Sequence, residues 1–131
     1  NPVLGHISTF GGHPVCCAAG LAAFNVLLDD KLVELVKEKE KLFISLLSGE
    51  ASDGFKPSGV HTVRSCGLMI AIELESFEIN KKVIDALIDQ GIFTDWFLFA
   101  PNGLRMAPPL TISNEEITLA CKKIIEVINQ I

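Results

Sequence analysis

The sequence predicts an α+β domain in which a small, mainly antiparallel sheet of three to four strands is covered by helices on one face and preceded by a long, kinked helix. Three observations predict this class. Apolar residues recur at helical spacing in four segments, and short apolar or β-branched runs bounded by glycine and proline lie between them. The length of 131 residues suits one domain with a core of its own.

The first part of the chain is predicted to be helical. Residues Pro14 to Leu28 are rich in alanine and leucine, which is typical of a helix buried on most of its faces. Asp29-Asp30 marks a break or kink, and Lys31 to Leu47 continues as a helix with one apolar and one charged face. Ser48 to Gly59 combines glycine, serine, aspartate and proline, and this composition predicts a loop.

Strand and helix signals then alternate. Val60 to Val63 is rich in residues that favour β-strands. Gly67 to Leu74 is a short apolar run in which polar residues do not recur at helical spacing, and this predicts a buried strand. Asn80 to Gln90 has the spacing of an amphipathic helix, and Gly91 is expected to end it.

A hairpin and a final helix complete the predicted fold. Ile92 to Phe99 and Leu104 to Ala107 are the two strands of the hairpin, with a turn expected at Ala100 to Gly103. Ser113 followed by Glu116 forms a capping box that opens the last helix.

Charge and hydropathy exclude several classes of partner. The net charge is −5, with acids outnumbering bases, and a protein that binds a phosphate backbone needs clustered cations. We therefore expect neither nucleic acid nor an anionic membrane surface as a partner. Hydrophobic residues make up 49% of the chain, but no uninterrupted apolar run has membrane-spanning length. Part of this apolar surface is expected to contact another domain or subunit.

Cysteines and histidines give no sign of a metal site. Neither type is spaced as a ligand set, and the cysteines do not form a secreted disulfide framework. No secretory signal is present, so we expect a cytoplasmic protein whose cysteines are reduced and belong to the core. The cysteines are Cys16, Cys17, Cys66 and Cys121, and the histidines are His6, His13 and His61.

The segment before the first helix is predicted to be an anion-binding turn. Ser8 and Thr9 supply hydroxyls, and Gly11-Gly12 lets the backbone approach a ligand. Pro14 suits the first turn of a helix, and His13 occupies the cap position. A phosphate is the ligand that this chemistry suggests. The alternative is that Thr9 is an ordinary turn hydroxyl.

Arg64 and Arg105 stand beside or within predicted strands, away from the helical faces that hold most of the lysines. A guanidinium binds carboxylate or phosphate through two parallel hydrogen bonds, so an arginine on an apolar strand is a candidate carboxylate ligand. Arg105 is the stronger candidate because Pro108-Pro109 follows it and would fix its backbone. The alternative for Arg105 is a structural ion pair, and for Arg64 a structural role is favoured.

Three motifs together resemble a known family. They are Gly5 to Pro14 followed by Cys17-Ala18-Ala19, then Val63 to Met69, then Leu104 to Leu110. Their order and content resemble the C-terminal part of class III pyridoxal-phosphate (PLP) aminotransferases, with acetylornithine and ornithine aminotransferases nearest in pattern.

The resemblance implies a fold-type I enzyme that is a homodimer with active sites at the subunit interface. Thr9, with Ser8 beside it, would contact the phosphate of the partner subunit's PLP. Arg105 would bind the α-carboxylate of an ornithine-type or other amino donor, or of 2-oxoglutarate. The segment Thr94 to Phe99 would shape access to the site.

Other family features are not found in this sequence. The lysine that holds the cofactor as a Schiff base lies upstream of the threonine motif in the family, so we expect no catalytic residue here and no activity from the chain alone. Residues 1–13 would belong to the turn of a missing large domain and residues 14–131 to the small C-terminal domain. His13 stands where the family usually has asparagine, and Ser65-Cys66 replaces a glycine-containing pair. A different hypothesis is a stand-alone small-molecule-binding or regulatory α+β domain.

Overall fold

The computed structural model describes residues 9–49 and 58–131. Its helices are α1 (Pro14–Asp29), α2 (Val36–Leu47), α3 (Phe77–Asp89) and α4 (Asn114–Gln130). Its strands are β1 (Thr62–Cys66), β2 (Met69–Glu73), β3 (Asp95–Phe97) and β4 (Ala100–Met106). The chain divides into two compact units, Asn1–Glu34 and Leu35–Ile131, so α1 belongs to the first and all later elements to the second.

The four strands form one antiparallel sheet in the order β1-β2-β4-β3. β1 and β2 are a hairpin, β3 and β4 are a second hairpin, and β2 joins the two by pairing with β4. The crossing from β2 to β3 contains α3, which packs on β3 and β4. The prediction of a small, mainly antiparallel α+β sheet is confirmed.

One face of the sheet carries the core of the second unit. Along β2 the side chains of Ile70 and Ile72 are buried, whereas Met69 is exposed and Ala71 is only partly covered. This period of two is that of a strand with one covered face. Helices α2, α3 and α4 supply the other side of the core, and α2 and α3 each contact α4. Within the described residues of the second unit, no helix covers the opposite face of the sheet.

The first helix differs from its prediction in burial. Its bounds agree within one residue, and the Nδ1 atom of His13 accepts a hydrogen bond from the Val15 N–H at 3.3 Å, as expected for a capping residue. No residue of α1 is buried, however. Its apolar residues are spread around the helix rather than along one side, so no single neighbour within the unit could cover them.

The break or kink predicted at Asp29-Asp30 is a break between two helices. α1 ends at Asp29, and α2 begins only at Val36, so the prediction of helix from Lys31 is wrong for its first five residues. Lys31 has a φ of 52°, a left-handed conformation that interrupts a right-handed helix.

The first hairpin turns at Gly67 and Leu68. Gly67 has a φ of 61°, and glycine is favoured at the first position of such a two-residue turn. Its N–H donates to Oε1 of Glu40 on α2 at 3.0 Å, which ties the turn to the helix. The predicted strand Gly67–Leu74 therefore contains β2 but loses its first two residues to the turn, and β1 extends three residues beyond the predicted Val60–Val63.

The second hairpin is confirmed, but its turn is not where the sequence placed it. The turn is formed by Leu98 and Phe99, and the predicted turn Ala100–Gly103 belongs to β4. The register shifts between Trp96 and Phe97, so the proline- and glycine-containing segment forms an irregularity within the ladder. Proline and glycine are typical of such bulges as well as of turns, which explains the error.

Hydroxyl caps open the last two helices. The Ser76 side chain accepts from the Ile79 N–H, so α3 starts three residues before the predicted Asn80. The predicted capping box is confirmed, with Ser113 and Glu116 each accepting a hydrogen bond from the other's backbone N–H. The predicted loop Ser48–Gly59 falls partly outside the described residues.

Candidate functional site

A row of four residues crosses the open face of the sheet. Arg64 on β1 lies opposite Ala71 on β2, which lies opposite Arg105 on β4, which lies opposite Asp95 on β3. Directly opposed residues of an antiparallel sheet project from the same face. The two arginines that the sequence singled out are therefore neighbours across one strand, with the smallest chiral side chain between them.

Arg105 is held by its cross-strand neighbour. Its Nη2 atom donates to Oδ2 of Asp95 at 3.0 Å, and both side chains are partly exposed. The other oxygen of this carboxylate, Oδ1, accepts from the Trp96 N–H at 2.8 Å. Because both carboxylate oxygens are engaged, Asp95 fixes the guanidinium above the sheet. The structure thus provides the ion pair that was the alternative interpretation of Arg105.

Arg64 makes a weaker contact. Its Nη2 atom is 3.5 Å from Oε2 of Glu73, and 61% of the Arg64 side chain is exposed. An exposed pair of this kind contributes about 0–1 kcal/mol to stability. The fold therefore depends little on this arginine, whose guanidinium stays accessible.

A shallow depression of about 530 Å³ lies between the two arginines. Its lining is mainly apolar: Arg64, Ala71, Phe97, Leu98, Phe99, Ala100 and Arg105. The Phe97 ring also lies over Gly103, where an added Cβ would come within 3.3 Å of the ring. The surface thus combines two cations, of which Arg105 is hydrogen-bonded to its acid, with an apolar wall, a combination suited to an anion with a hydrocarbon chain.

The predicted phosphate turn is described only in part. Thr9 is exposed and lies in a bend ahead of α1, and a Cβ added at Gly12 would meet no atom of the described residues within 4 Å. Ser8 lies outside the described residues. Thr9 belongs to the first unit and Arg105 to the second, so the two sites are described separately.

The cysteine prediction is correct for one residue of four. Cys121 is buried in α4, and burial raises the pKa of its thiol to about 12. Cys16, Cys17 and Cys66 are exposed, so their assignment to the core is wrong. The first two lie on α1, none of whose residues is buried, and the third ends β1 on the same sheet face as Arg64.

Two further properties bear on the class of site. Among the described residues, no group of three or more histidine, cysteine or acidic side chains is arranged to hold a metal ion. Within 9–49 and 58–131, no helix is long and apolar enough to cross a membrane.

Sequence reasoning missed two members of the row. Ala71 carried no chemical signal, and Asp95 was noted only as part of the segment Thr94–Phe99. A turn at Ala100–Gly103 would have placed Leu98, and not Asp95, opposite Arg105. The correct register, which depends on the irregularity in β4, was the missing information.

The chain belongs to a transferase family. The family model described as Aminotransferase class-III matches residues 1–128, which is nearly the whole chain, and the chain belongs to this family. The predicted resemblance is confirmed.

The relatives agree with this assignment. The acetylornithine aminotransferase of Methanosarcina acetivorans is 38% identical over 112 residues, which are 86% of this chain and 26% of that protein. The ornithine aminotransferase of Toxoplasma gondii superposes with a TM-score of 0.77 at 30% identity, over 99% of this chain and 30% of that one. A Bacillus anthracis aminotransferase gives a TM-score of 0.81 at 27% identity, over 97% of this chain and 30% of that one. The chain thus spans about a quarter to a third of these relatives' length, and its fold is that of a fold-type I aminotransferase.

Proposed function

We propose that this chain acts as the C-terminal part of a PLP-dependent aminotransferase that moves an amino group from an ornithine-type donor to 2-oxoglutarate. The observation that carries the proposal is Arg105, fixed on an open sheet face beside a depression with an apolar wall. Family membership supports the reaction class, and the acetylornithine and ornithine aminotransferases among the relatives support the donor class.

Arg105 would bind the α-carboxylate of the amino acid or oxo acid. In the structure its Nη2 atom donates to Asp95, and no other hydrogen bond from its guanidinium is found among the described residues. The remaining N–H groups can form the parallel pair of bonds that orients a carboxylate. Asp95 would keep the guanidinium in place before the substrate arrives, which lowers the entropy lost on binding.

The residues ahead of α1 fit a cofactor phosphate. The Thr9 side chain is exposed, and the surroundings of Gly12 leave room for a ligand to approach the backbone. Hydroxyl and backbone N–H donors are the groups that bind phosphate. We infer that Thr9, with Ser8 beside it, contacts the phosphate of PLP held by the partner subunit of a homodimer. When bound, PLP supplies the electron sink for transamination, and the protein supplies orientation. In the Toxoplasma ornithine aminotransferase, PLP partly occupies the active site.

The chain alone would be inactive. None of its local sequences resembles the cofactor-binding lysine site of the family, so that lysine would come from the large domain of the full-length enzyme. Residues 1–13 would belong with that domain, and the enzyme would work in the cytoplasm. The apolar side chains of α1 are exposed to solvent in this chain, and exposing so many of them is unfavourable. This supports the proposal that a further domain or subunit covers α1.

The test is a pair of substitutions in the full-length enzyme that contains this chain. Arg105→Gln removes the charge, and Arg105→Lys keeps the charge but loses the planar fork. Loss of a charged hydrogen-bonding pair costs roughly 1.5–3 kcal/mol, so kcat/KM should fall about 10- to 100-fold or more in the glutamine variant. We expect the lysine variant to recover only part of the loss.

Lys82→Gln is the matched control, because it removes an exposed cation from α3, on the covered side of the sheet. It should leave kcat/KM near the unmodified value. Equal activity of the Arg105→Gln and unmodified enzymes would refute the proposed role of Arg105. A full-length gene product without a PLP-binding lysine would instead favour a stand-alone binding domain.

A further inference from the structure

The side chain of Asn80 on α3 reaches the irregular segment of β4, residues Pro101 to Gly103. Its Nδ2 atom donates to the carbonyl oxygen of Pro101 at 2.8 Å. We propose that Asn80 is a positioning residue for carboxylate binding by Arg105, because its amide holds the irregular segment that sets Asp95 opposite this arginine. This inference rests on the proposed function, since it takes Arg105 as the carboxylate ligand.

The irregular segment is defined by the pairing of β3 with β4. Trp96 and Phe97 are adjacent on β3, but their partners on β4, Leu104 and Ala100, are separated by the whole irregular segment. Its three residues therefore have no partner on β3. An insertion of this kind changes the register of every pair that follows it.

The irregular segment decides which side chain of β3 faces Arg105. A regular ladder continued from the last pair before the turn would set Asp95 opposite Asn102. In the structure Asp95 lies opposite Arg105 and accepts a hydrogen bond from its Nη2 atom at 3.0 Å. The pairing of β4 with β2 is regular up to Gly103, so Arg105 itself stays in place. Whatever holds the irregular segment therefore aligns Asp95 with Arg105.

Two side-chain amides hold the irregular segment. On the side of β2, Nδ2 of Asn102 donates to the Leu74 carbonyl at 3.2 Å, and the Leu74 N–H donates to the Asn102 carbonyl at 3.0 Å. On the side of α3, Asn80 donates to Pro101. Proline has no N–H, so its carbonyl is the only backbone group of Pro101 that can form a hydrogen bond. Asn80 thus supplies the contact that the ladder with β3 does not.

The surroundings of Asn80 favour a role in register over one in stability. Asn80 is the only buried polar side chain among residues 9–49 and 58–131, with 0% exposed. Within the same residues, its Oδ1 atom has no hydrogen-bond partner. Leaving a buried amide oxygen unpaired lowers stability, and an aliphatic side chain would avoid this loss. A polar group in an apolar core can instead select one register among several.

The experiment uses Asn80→Leu in the full-length enzyme, because leucine has the same branching but no donor. Without the hydrogen bond to Pro101, Asp95 is no longer held opposite Arg105, and 2-oxoglutarate should bind more weakly. We expect its KM to rise about three- to tenfold while kcat changes less than about twofold. Asn80→Ala removes the amide without adding volume and should give the same result if leucine prevents folding. Circular dichroism establishes that each variant is folded.

Val83→Ala is the matched control, because Val83 is also buried on α3, about one turn after Asn80. It should lower the Tm and leave the KM for 2-oxoglutarate near the unmodified value. An equal rise of KM in Val83→Ala would show that loss of stability is the cause, and it would overturn the inference.

Two further measurements ask whether Asn80 acts through Asp95. In an Asp95→Ala background, adding Asn80→Leu should change KM less than about twofold, because the acid that Asn80 positions is gone. In a crystal structure of the Asn80→Leu enzyme, the hydrogen bond from Nη2 of Arg105 to Oδ2 of Asp95 should be lost. A full additional rise of KM in the double variant, or an intact hydrogen bond in the crystal structure, would contradict the inference.

The outcomes separate this inference from the proposed function. If the folded Asn80 variants leave KM unchanged while Arg105→Gln impairs catalysis, the inference is overturned and the proposed function stands. If Arg105→Gln has no effect, the proposed function fails, and the role of Asn80 in carboxylate binding fails with it.

Discussion

At the residue scale, the pairing of each arginine with an acid is the main finding. Arg105 is fixed by Asp95, whose two oxygens are both hydrogen-bonded, whereas Arg64 is more exposed and its contact with Glu73 is longer. The sequence left two interpretations of Arg105 open, a structural ion pair and a ligand for a substrate carboxylate. The two roles are compatible, because an acid that engages one guanidinium nitrogen leaves the other N–H donors free for a ligand.

Burial separates the four cysteines into two groups with different expected reactivity. Cys121 is buried and its pKa is raised to about 12, so its thiolate is rare at neutral pH. We expect the other three thiols of the folded 131-residue chain to react rapidly with a disulfide reagent such as Ellman's. Cys121 should react only after denaturant is added.

The absorbance of the chromophore that Ellman's reagent releases, measured with and without guanidinium chloride, counts the fast-reacting and the slow-reacting thiols. A Cys121→Ala variant assigns the slow thiol, since it should lose only the denaturant-dependent part. Rapid reaction of all four thiols in the folded chain would contradict the burial of Cys121.

At the element scale, one glycine was misplaced in each of the two hairpins. The sequence put Gly67 in a strand and Gly103 in a turn, but Gly67 sits in a two-residue turn, whereas Gly103 sits within β4 under the Phe97 ring. Glycine marks turns and bulges alike, so the sequence signal was the same at both places. The turn position then decided which residue faced Arg105.

The first hairpin turn offers a stability prediction. A Cβ at Gly67 would lie 2.9 Å from Cγ1 of Val36, a side chain with little rotational freedom, and the φ of 61° is itself unfavourable for alanine. Left-handed backbone costs a non-glycine residue roughly 1–2 kcal/mol. We expect Gly67→Ala to lower the free energy of unfolding by more than this amount, as measured by urea denaturation.

Gly59→Ala is the control for backbone strain alone, because Gly59 also has a positive φ, of 83°, but no atom of the residues that the structure describes lies within 4 Å of an added Cβ. Adding Val36→Ala to Gly67→Ala should reduce the steric part of the loss. Equal destabilisation by the two glycine substitutions would show that the contact with Val36 has no energetic effect.

At the scale of the whole molecule, the second unit has a core of its own, whereas the first exposes apolar side chains. Strands and three helices bury a continuous set of aliphatic residues within Leu35–Ile131. α1 buries none of its residues in this chain. This contrast supports the proposal that the first unit is completed by parts of the enzyme that are absent from the 131 residues.

The proposal that the large domain supplies the cofactor-binding lysine predicts how this chain behaves with PLP. The 131-residue chain mixed with PLP should form no stoichiometric covalent adduct on a single lysine, because the proposal places the cofactor-binding lysine in the large domain of the full-length enzyme. Absorbance spectra, followed by borohydride reduction and peptide mass spectrometry, measure this. The full-length enzyme, as the control, should give one labelled lysine.

A single lysine of this chain labelled in full, and still labelled after exposed lysines such as Lys82 are replaced, would contradict the prediction. Scattered partial labelling of several lysines would agree with it, because free amino groups react weakly and without selectivity.

The sequence by itself determined the fold class, the helix caps at His13 and Ser113, and the family, because periodicity, capping residues and motifs are local properties of the chain. The tertiary structure alone decided which side chains meet. Strand register placed Ala71 between Arg64 and Arg105, and the shifted turn placed Asp95 opposite Arg105. Burial was equally a tertiary property: α1 is rich in apolar residues, yet the described part of the chain buries none of them. Cross-strand contacts depend on register, and one irregularity changes them all.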